Sequence, residues 1–314
     1  MRPKLSTIIC TYTRTHRLIE SLKSIEQQTL PYNQFEVVIV TRLLAADHEE
    51  NLNEFLKQTR LKVSIVPLSP ECSGCSRARN AGLAEAKGEI LHFLDDDTLV
   101  SSGCLKSYID IFNSTDAMCA GGKIIPKFIS DPPKWMQPAL WPLLGVLDLG
   151  DRIREFSYPS NFPVGANMAF RREVFDRYGI FDVNLGPLGN IGIDADETDI
   201  CYKIQFDEKK LLYCPDALVY HCIEGDKMNW RWMIRRSYNA GKGSAIVQLK
   251  HIPPSKVFVV AYKSLAGKRE PQSFISGHHH MSLYAFSYHL QTRLAMMLGY
   301  GLEVMRAMFG IPTR

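Results

Sequence analysis

Over its first hundred residues the chain alternates short apolar runs with amphipathic stretches. Residues 6–11, 35–40, 63–66 and 88–94 are brief and rich in Val, Ile and Leu, which is the length and composition of buried strands. Between them, residues 17–28, about 47–58 and 76–86 mix charged and apolar side chains as helices do, the first stopping short of Pro31. Strands alternating with helices at this spacing predict βαβ units, and so an α/β fold with a mostly parallel sheet flanked by helices. Ligands of such sheets lie beyond the carboxyl ends of the strands. The first strand ends at Thr11-Tyr12-Thr13-Arg14 and the fourth at Asp95-Asp96-Asp97, so two strand ends point at one cleft.

The second half follows another pattern. Pro and Trp accumulate between residues 125 and 163, with Trp135 and Trp141 among them. This predicts a long irregular excursion of the kind that often carries function. The two indoles are suited either to stacking on sugar rings or to buried packing. Strand character resumes at residues 163–170 and returns near 212 and 217–221, while residues 194–206, 227–247 and 281–309 read as helices.

Composition narrows the class. The 314 residues, 46% hydrophobic and 22% charged, suit one large globular α/β domain with additions or two modest ones. A net charge of +4 is too small to argue for nucleic acid. Its distribution says more: residues 241–314 hold nine Lys/Arg against two acids, a net of +7, leaving −3 on the rest. A basic tail on a faintly acidic body suggests an anionic neighbour, such as a membrane face. The apolar stretch of that tail between Arg293 and Glu303, residues 294–302, is far too short to span a bilayer. Packing on the body or lying in the membrane plane both fit. The N-terminal apolar run is too brief for a signal peptide, and the eight scattered cysteines suit a reducing cytosol. Cys72 and Cys75 form a lone CxxC without a second pair at zinc spacing.

Several groups of residues carry candidate chemistry. Asp95, Asp96 and Asp97 crowd like charges at a strand end, where either a divalent cation or water must relieve them. Asp194, Asp196, Glu197 and Asp199 precede an apolar-periodic helix. They suit capping of its positive end, or a general base held beside a metal site. Arg77 and Arg79 open a helix after a flexible turn, as diphosphate-gripping or ordinary surface arginines. His221 ends a strand-like run, and His278-His279-His280 lie in a polar stretch where a solvated loop is the plainer reading.

Taken in order, several segments resemble family-2 glycosyltransferases of the GT-A fold. They are residues 6–14; Ala78-Arg79-Asn80-Ala81-Gly82 through Asp95-Asp96-Asp97; residues 165–172; Asp196-Glu197-Thr198-Asp199; and His221 with residues 232–241. The resemblance covers roughly residues 5–245 and implies a GT-A domain over 1–245, with a basic, mostly helical extension over 246–314. It implies an inverting transfer from a nucleotide-sugar donor to a glycan or lipid-linked acceptor, with Mn²⁺ or Mg²⁺ on Asp97, Asp95 and His221. Thr11, Tyr12, Arg14, Arg79, Asp95, Asp96 and Asn167 match donor-binding positions. Glu197 takes the base position by alignment, with Asp196 as the alternative because the acidic pair reads Asp-Glu where the family has Glu-Asp. After the second strand the family usually has base-reading acids, and this chain has Val40-Thr41-Arg42. A cytoplasmic enzyme, peripheral on the membrane face through its basic tail, is the expectation. The rivals are a binding-only relative and a nucleotidyltransferase, although residues 11–18 lack the glycines of a phosphate loop.

Overall fold

The computed structural model describes residues 2–12, 14–42, 46–69, 74–156, 161–186, 193, 195–253, 257, 283–309 and 311. Thr13, Cys72, Asp194 and His278–His280, singled out above, lie outside them. Strands β1 (Leu5–Thr11), β2 (Phe35–Arg42), β3 (Val63–Leu68) and β4 (Ile90–Asp95) run parallel in the order β3-β2-β1-β4. Val37 to Val40 and Ile8 and Ile9 are buried throughout, as expected of strands covered on both faces. Helices α1 (Thr15–Glu26), α2 (Ala46–Gln58) and α3 (Cys75–Glu85) make the crossovers. The first two extend the sheet to one side of β1, and the third returns to its other side. The order reverses between β1 and β4, which opens a crevice at their carboxyl ends. Register places Cys10 beside Asp95 there.

Beyond β4 the parallel pattern gives way to a mixed one. Strand β8 (Asn167–Arg171) lies antiparallel to β4, and β6 (Cys119–Phe128) antiparallel to β8. The long β9 (Leu211–Ile223) is parallel to β6, while short β5 (Thr98–Val100) and β7 (Arg154–Glu155) pair antiparallel with it. A parallel pair needs a crossover that returns the chain to the same sheet end. Strand β8 instead follows the irregular excursion and enters from the opposite end. Helices α4 (Cys104–Ser114), α5 (Glu173–Tyr178) and α6 (Asp196–Phe206) complete this half. Phe93 of β4 meets Phe170 of β8 and Phe181 edge-on, at 6.0 and 5.1 Å, and this joins the two halves in one core.

Helix α7 (Trp230–His251) passes through residue 245 unbroken, so the expected division at 245/246 falls inside a helix. Against it lies α8 (Leu283–Met308). The two approach closely where each has a glycine: a Cβ on Gly241 would collide with the Met296 carbonyl, and one on Gly299 with that of Tyr238. Gly241→Ala should therefore cost about 1–3 kcal/mol by overpacking and lower Tm by several degrees. Gly301→Ala on the same helix, where a Cβ meets open space, should leave Tm level or raise it. Equal effects in calorimetry would show that the crossing is not tight.

Candidate active site

Strand β4 ends at Asp95, and the chain turns through Asp96 and Asp97 directly into β5. Antiparallel pairing with β9 sets Thr98 opposite His221, and the Cys222 amide donates to the Asp97 carbonyl at 2.8 Å. Sheet register thus delivers a histidine from over a hundred residues away to the acidic turn. His221 Nε2 lies 3.1 Å from Asp97 Oδ1. Arg14 Nη1 and Lys227 Nζ donate to Asp97 Oδ2 at 2.5 and 2.9 Å. Thr11 Oγ1 donates to Asp96 Oδ2 at 2.7 Å, and Arg14 stands 3.8 Å from the same side chain.

These neighbours separate the three carboxyls. Burial pushes Asp97 up, but the His221 hydrogen bond and charge, with Lys227 and Arg14, outweigh it and hold the carboxyl well below its ordinary range. Asp96 is pushed up to about 6 by burial and by Asp97, against the pull of Arg14. Asp95 is also raised, by burial and then by Asp97. One acid is firmly ionised and two hold their protons more tightly, as expected of like charges crowded in a dry site. Asp95, Asp97 and His221 each present one ligand atom within 4.8 Å of the others. Carboxylate oxygens with one imidazole nitrogen are donors that a divalent ion accepts. The set fits a metal site.

The second acidic group meets the first through Arg79. Helix α3 carries Arg79, whose Nη1 donates to Asp196 Oδ1 and Oδ2 at 2.8 and 2.9 Å and lies 3.5 Å from Glu197 Oε2. Ser76 Oγ, one turn earlier, donates to Asp196 Oδ2 at 2.9 Å. Burial would raise the Asp196 carboxyl, yet Arg79 and these hydrogen bonds hold it low. The same Arg79 lines a cleft of about 260 Å³ together with Tyr12, Arg14 and the three aspartates. Gly165 also borders it. A Cβ there would collide with the Arg79 guanidinium and lie 3.3 Å from Glu197 Oε1, so only glycine leaves room.

Most of the residues expected from sequence therefore converge. Asn167 does not line the cleft. It is fully buried, accepts from Tyr108 Oη at 2.8 Å and donates to the Ala217 carbonyl at 2.8 Å. Its polarity serves the interior. Trp135 and Trp141 are engaged as well: Trp135 stacks on Tyr288 at 5.6 Å, and Trp141 meets Phe128 at 5.6 Å. Their packing alternative is the one observed. The sequence reading missed Lys227 and Ser76. Lys227 is one of 37 Lys and Arg, and nothing local distinguishes it. Cys75 and Cys10 face the cleft as well, and burial pushes the Cys10 thiol up to about 12, so it stays protonated.

The sequence pattern of glycosyl transferase family 2 matches residues 6–179, more than half of the chain and all of the first acidic cluster. The protein belongs to glycosyl transferase family 2. It is a glycosyltransferase of the GT-A fold. It is similar to the glucosyl-dolichyl phosphate glucuronosyltransferase of Haloferax volcanii, 24% identical over 250 residues, covering 78% of each chain. It is also similar to the succinoglycan biosynthesis protein ExoM of Rhizobium meliloti, 24% identical over 74% of this chain and 72% of that one. Among solved structures, the mannosyltransferase PcManGT of Pyrobaculum calidifontis matches 97% of this chain and 88% of its own at a TM-score of 0.61 and 18% identity. Staphylococcus aureus TarS matches 99% and 93% at 0.56 and 17%. At that identity the two structures speak for the fold of this family-2 member.

The Asn167 network yields a pH prediction. Asn167 Oδ1 can only accept, so His92 Nε2, 3.1 Å away, carries the proton. His92 Nδ1 then accepts from Thr7 Oγ1 at 3.2 Å. Burial lowers the His92 pKa from 6.5 to about 4. Between those values the unfolded chain takes up a proton that the folded one refuses, so stability falls as pH falls through this window. The loss should total on the order of 3 kcal/mol. Urea unfolding in pH steps should show this slope in the wild type and a shallower one in His92→Gln. Identical slopes would place the proton uptake elsewhere.

Proposed function

We propose that this glycosyltransferase moves a sugar from a nucleotide-diphosphate donor to an acceptor hydroxyl by one inverting displacement, in polysaccharide or lipid-linked glycan assembly. The observation that carries the reading is Arg79, which borders the cleft of Asp95, Asp96 and Asp97 while it pairs with Asp196 beside Glu197. A donor-holding acidic turn and an acid suited to act as base thus meet at one arginine that borders the cleft. The names of relatives support the product class, since one concerns a dolichyl phosphate-linked glycan and another succinoglycan. The solved structures of similar fold support the donor class: PcManGT is in complex with GDP-Man and Mn²⁺, TarS with UDP-GlcNAc. Those two donors differ in base, and Val40-Thr41-Arg42 lacks the usual base-reading acids, so the proposal names no base.

Asp97, Asp95 and His221 would hold Mn²⁺ or Mg²⁺, which when bound supplies Lewis-acid neutralisation of charge on the leaving diphosphate. Arg14 and Lys227, both directed at Asp97, bring positive charge to the same end of the cleft and stabilise the departing phosphates. Glu197 takes the proton from the acceptor hydroxyl as its oxygen bonds to the anomeric carbon. The bond from that carbon to the diphosphate breaks, its electron pair leaving with the diphosphate. Attack and departure on opposite faces in one step invert the centre. Asp196 is poorly suited to the base role: it has no exposed surface, and Arg79 and Ser76 occupy both of its oxygens. Glu197 keeps 8% exposure and borders Gly165.

Glu197→Gln should lower the rate of transfer by roughly 10²–10⁴-fold. Nucleotide diphosphate affinity, measured by calorimetric titration, should stay near wild type. Transfer at an undiminished rate would remove Glu197 from the base role.

A further inference from the structure

Helix α8 presents two apolar faces, and only one of them is covered by the described residues. Thr292, Ala295, Glu303 and Val304 are buried, and Gly299 meets α7 as described. On the other side Leu290, Leu294, Leu298, Leu302, Met305 and Phe309 follow helical spacing over five turns, with exposures from 39% to 77%. Met297 and Met308 widen the stripe, at 47% and 59%. A surface helix of a soluble protein ordinarily turns its polar side outward, and an exposed apolar strip of this length marks an interaction site.

The charges around the stripe have one sign. Glu303, the one acid in α8, is buried against Lys242 at 3.5 Å and Arg306 at 2.8 Å. Arg293 is exposed and Arg306 partly so, within a C-terminal region of net charge +7. Among the described residues no helix is long and apolar enough to cross a membrane. The opposite face of α8 is also committed to α7.

We propose that α8 lies in the plane of an anionic lipid bilayer, with its leucine and methionine stripe among the acyl chains and its arginines among the headgroup phosphates. A second copy of the chain is the weaker occupant. Two-fold pairing through this stripe would cover exposed Arg293 with no acid left to pair it, since Glu303 is already held by Lys242 and Arg306, whereas anionic headgroups neutralise it. Tyr288 on α8 stacks on Trp135 and meets Trp230 at 4.5 Å, so a helix held at the surface would also fix the orientation of the excursion and of α7. The inference rests on this surface and is independent of the catalytic reading.

Cosedimentation of the full chain with vesicles tests it. Wild type should sediment with vesicles of phosphatidylcholine containing phosphatidylglycerol and much less with phosphatidylcholine alone. Leu294→Glu with Leu298→Glu should weaken binding by at least about tenfold per leucine removed. These side chains are exposed, so Tm and sugar transfer to a soluble acceptor should be unchanged. Failure of the wild type to bind either vesicle, or equal binding by the variant, would overturn the proposal. So would a concentration-dependent dimer in sedimentation equilibrium that the variant dissolves while vesicles go unbound. A chain that binds vesicles but transfers no sugar would count against the catalytic reading and leave this one standing.

Discussion

One buried ion pair, Arg79 with Asp196, is the point on which both halves of the molecule depend. Arg79 is 5% exposed and Asp196 is not exposed at all. Removing two charges from water costs several kcal/mol each, and only good geometry with satisfied lone pairs offsets it. Here Arg79 spans both carboxylate oxygens and Ser76 takes a further bond. The guanidinium also lies over the Phe181 ring at 5.7 Å. Because α3 belongs to the parallel half and α6 to the mixed half, the pair fixes how the two meet. Glu197 follows Asp196 by one residue and lies 3.5 Å from the same guanidinium, so its place beside Arg79 is set by the same clamp.

The acidic turn obeys the complementary rule. Three carboxylates at a strand end repel unless partners arrive, and in this fold they come from three separate places: Arg14 after β1, His221 at the end of β9, and Lys227 before α7. All three converge on Asp97, which is why that carboxyl is held low while its two neighbours are raised. The result is a site with its charge already arranged, the condition under which electrostatic stabilisation requires least reorganisation.

What could be read from the sequence follows from how local each signal is. Strands β1, β2 and β4 declare themselves through continuous Val, Ile and Leu runs, and the triple aspartate is contiguous, so the cleft could be placed at two strand ends. The contact of His221 with Asp97 depends on β5–β9 register, which no short pattern encodes, and only the family resemblance joined His221 to the aspartates. Lys227 had neither signal. Asn167 shows the opposite failure. The family resemblance set it among donor-binding positions, yet Tyr108 and His92 from other elements consume its oxygen, and long-range burial of that kind is invisible along the chain. Trp135 and Trp141 were ambiguous for the same reason, since their partners Tyr288 and Phe128 are distant or unmarked. The division at residue 245 came from the reach of the family resemblance, whereas helix α7 runs through it and carries the packing surface for α8.

Arg79 and Asp196 are energetically coupled and clamp the two halves around the cleft. A double-mutant cycle measured by urea unfolding, with Arg79→Met, Asp196→Leu and the pair, tests it most directly. Each single substitution strips a buried charge of its main partner, leaving Arg79 only its 3.5 Å contact with Glu197, and should cost about 3–5 kcal/mol, while the double variant should cost no more than either alone. A double variant whose loss equals the sum of the two would contradict the account.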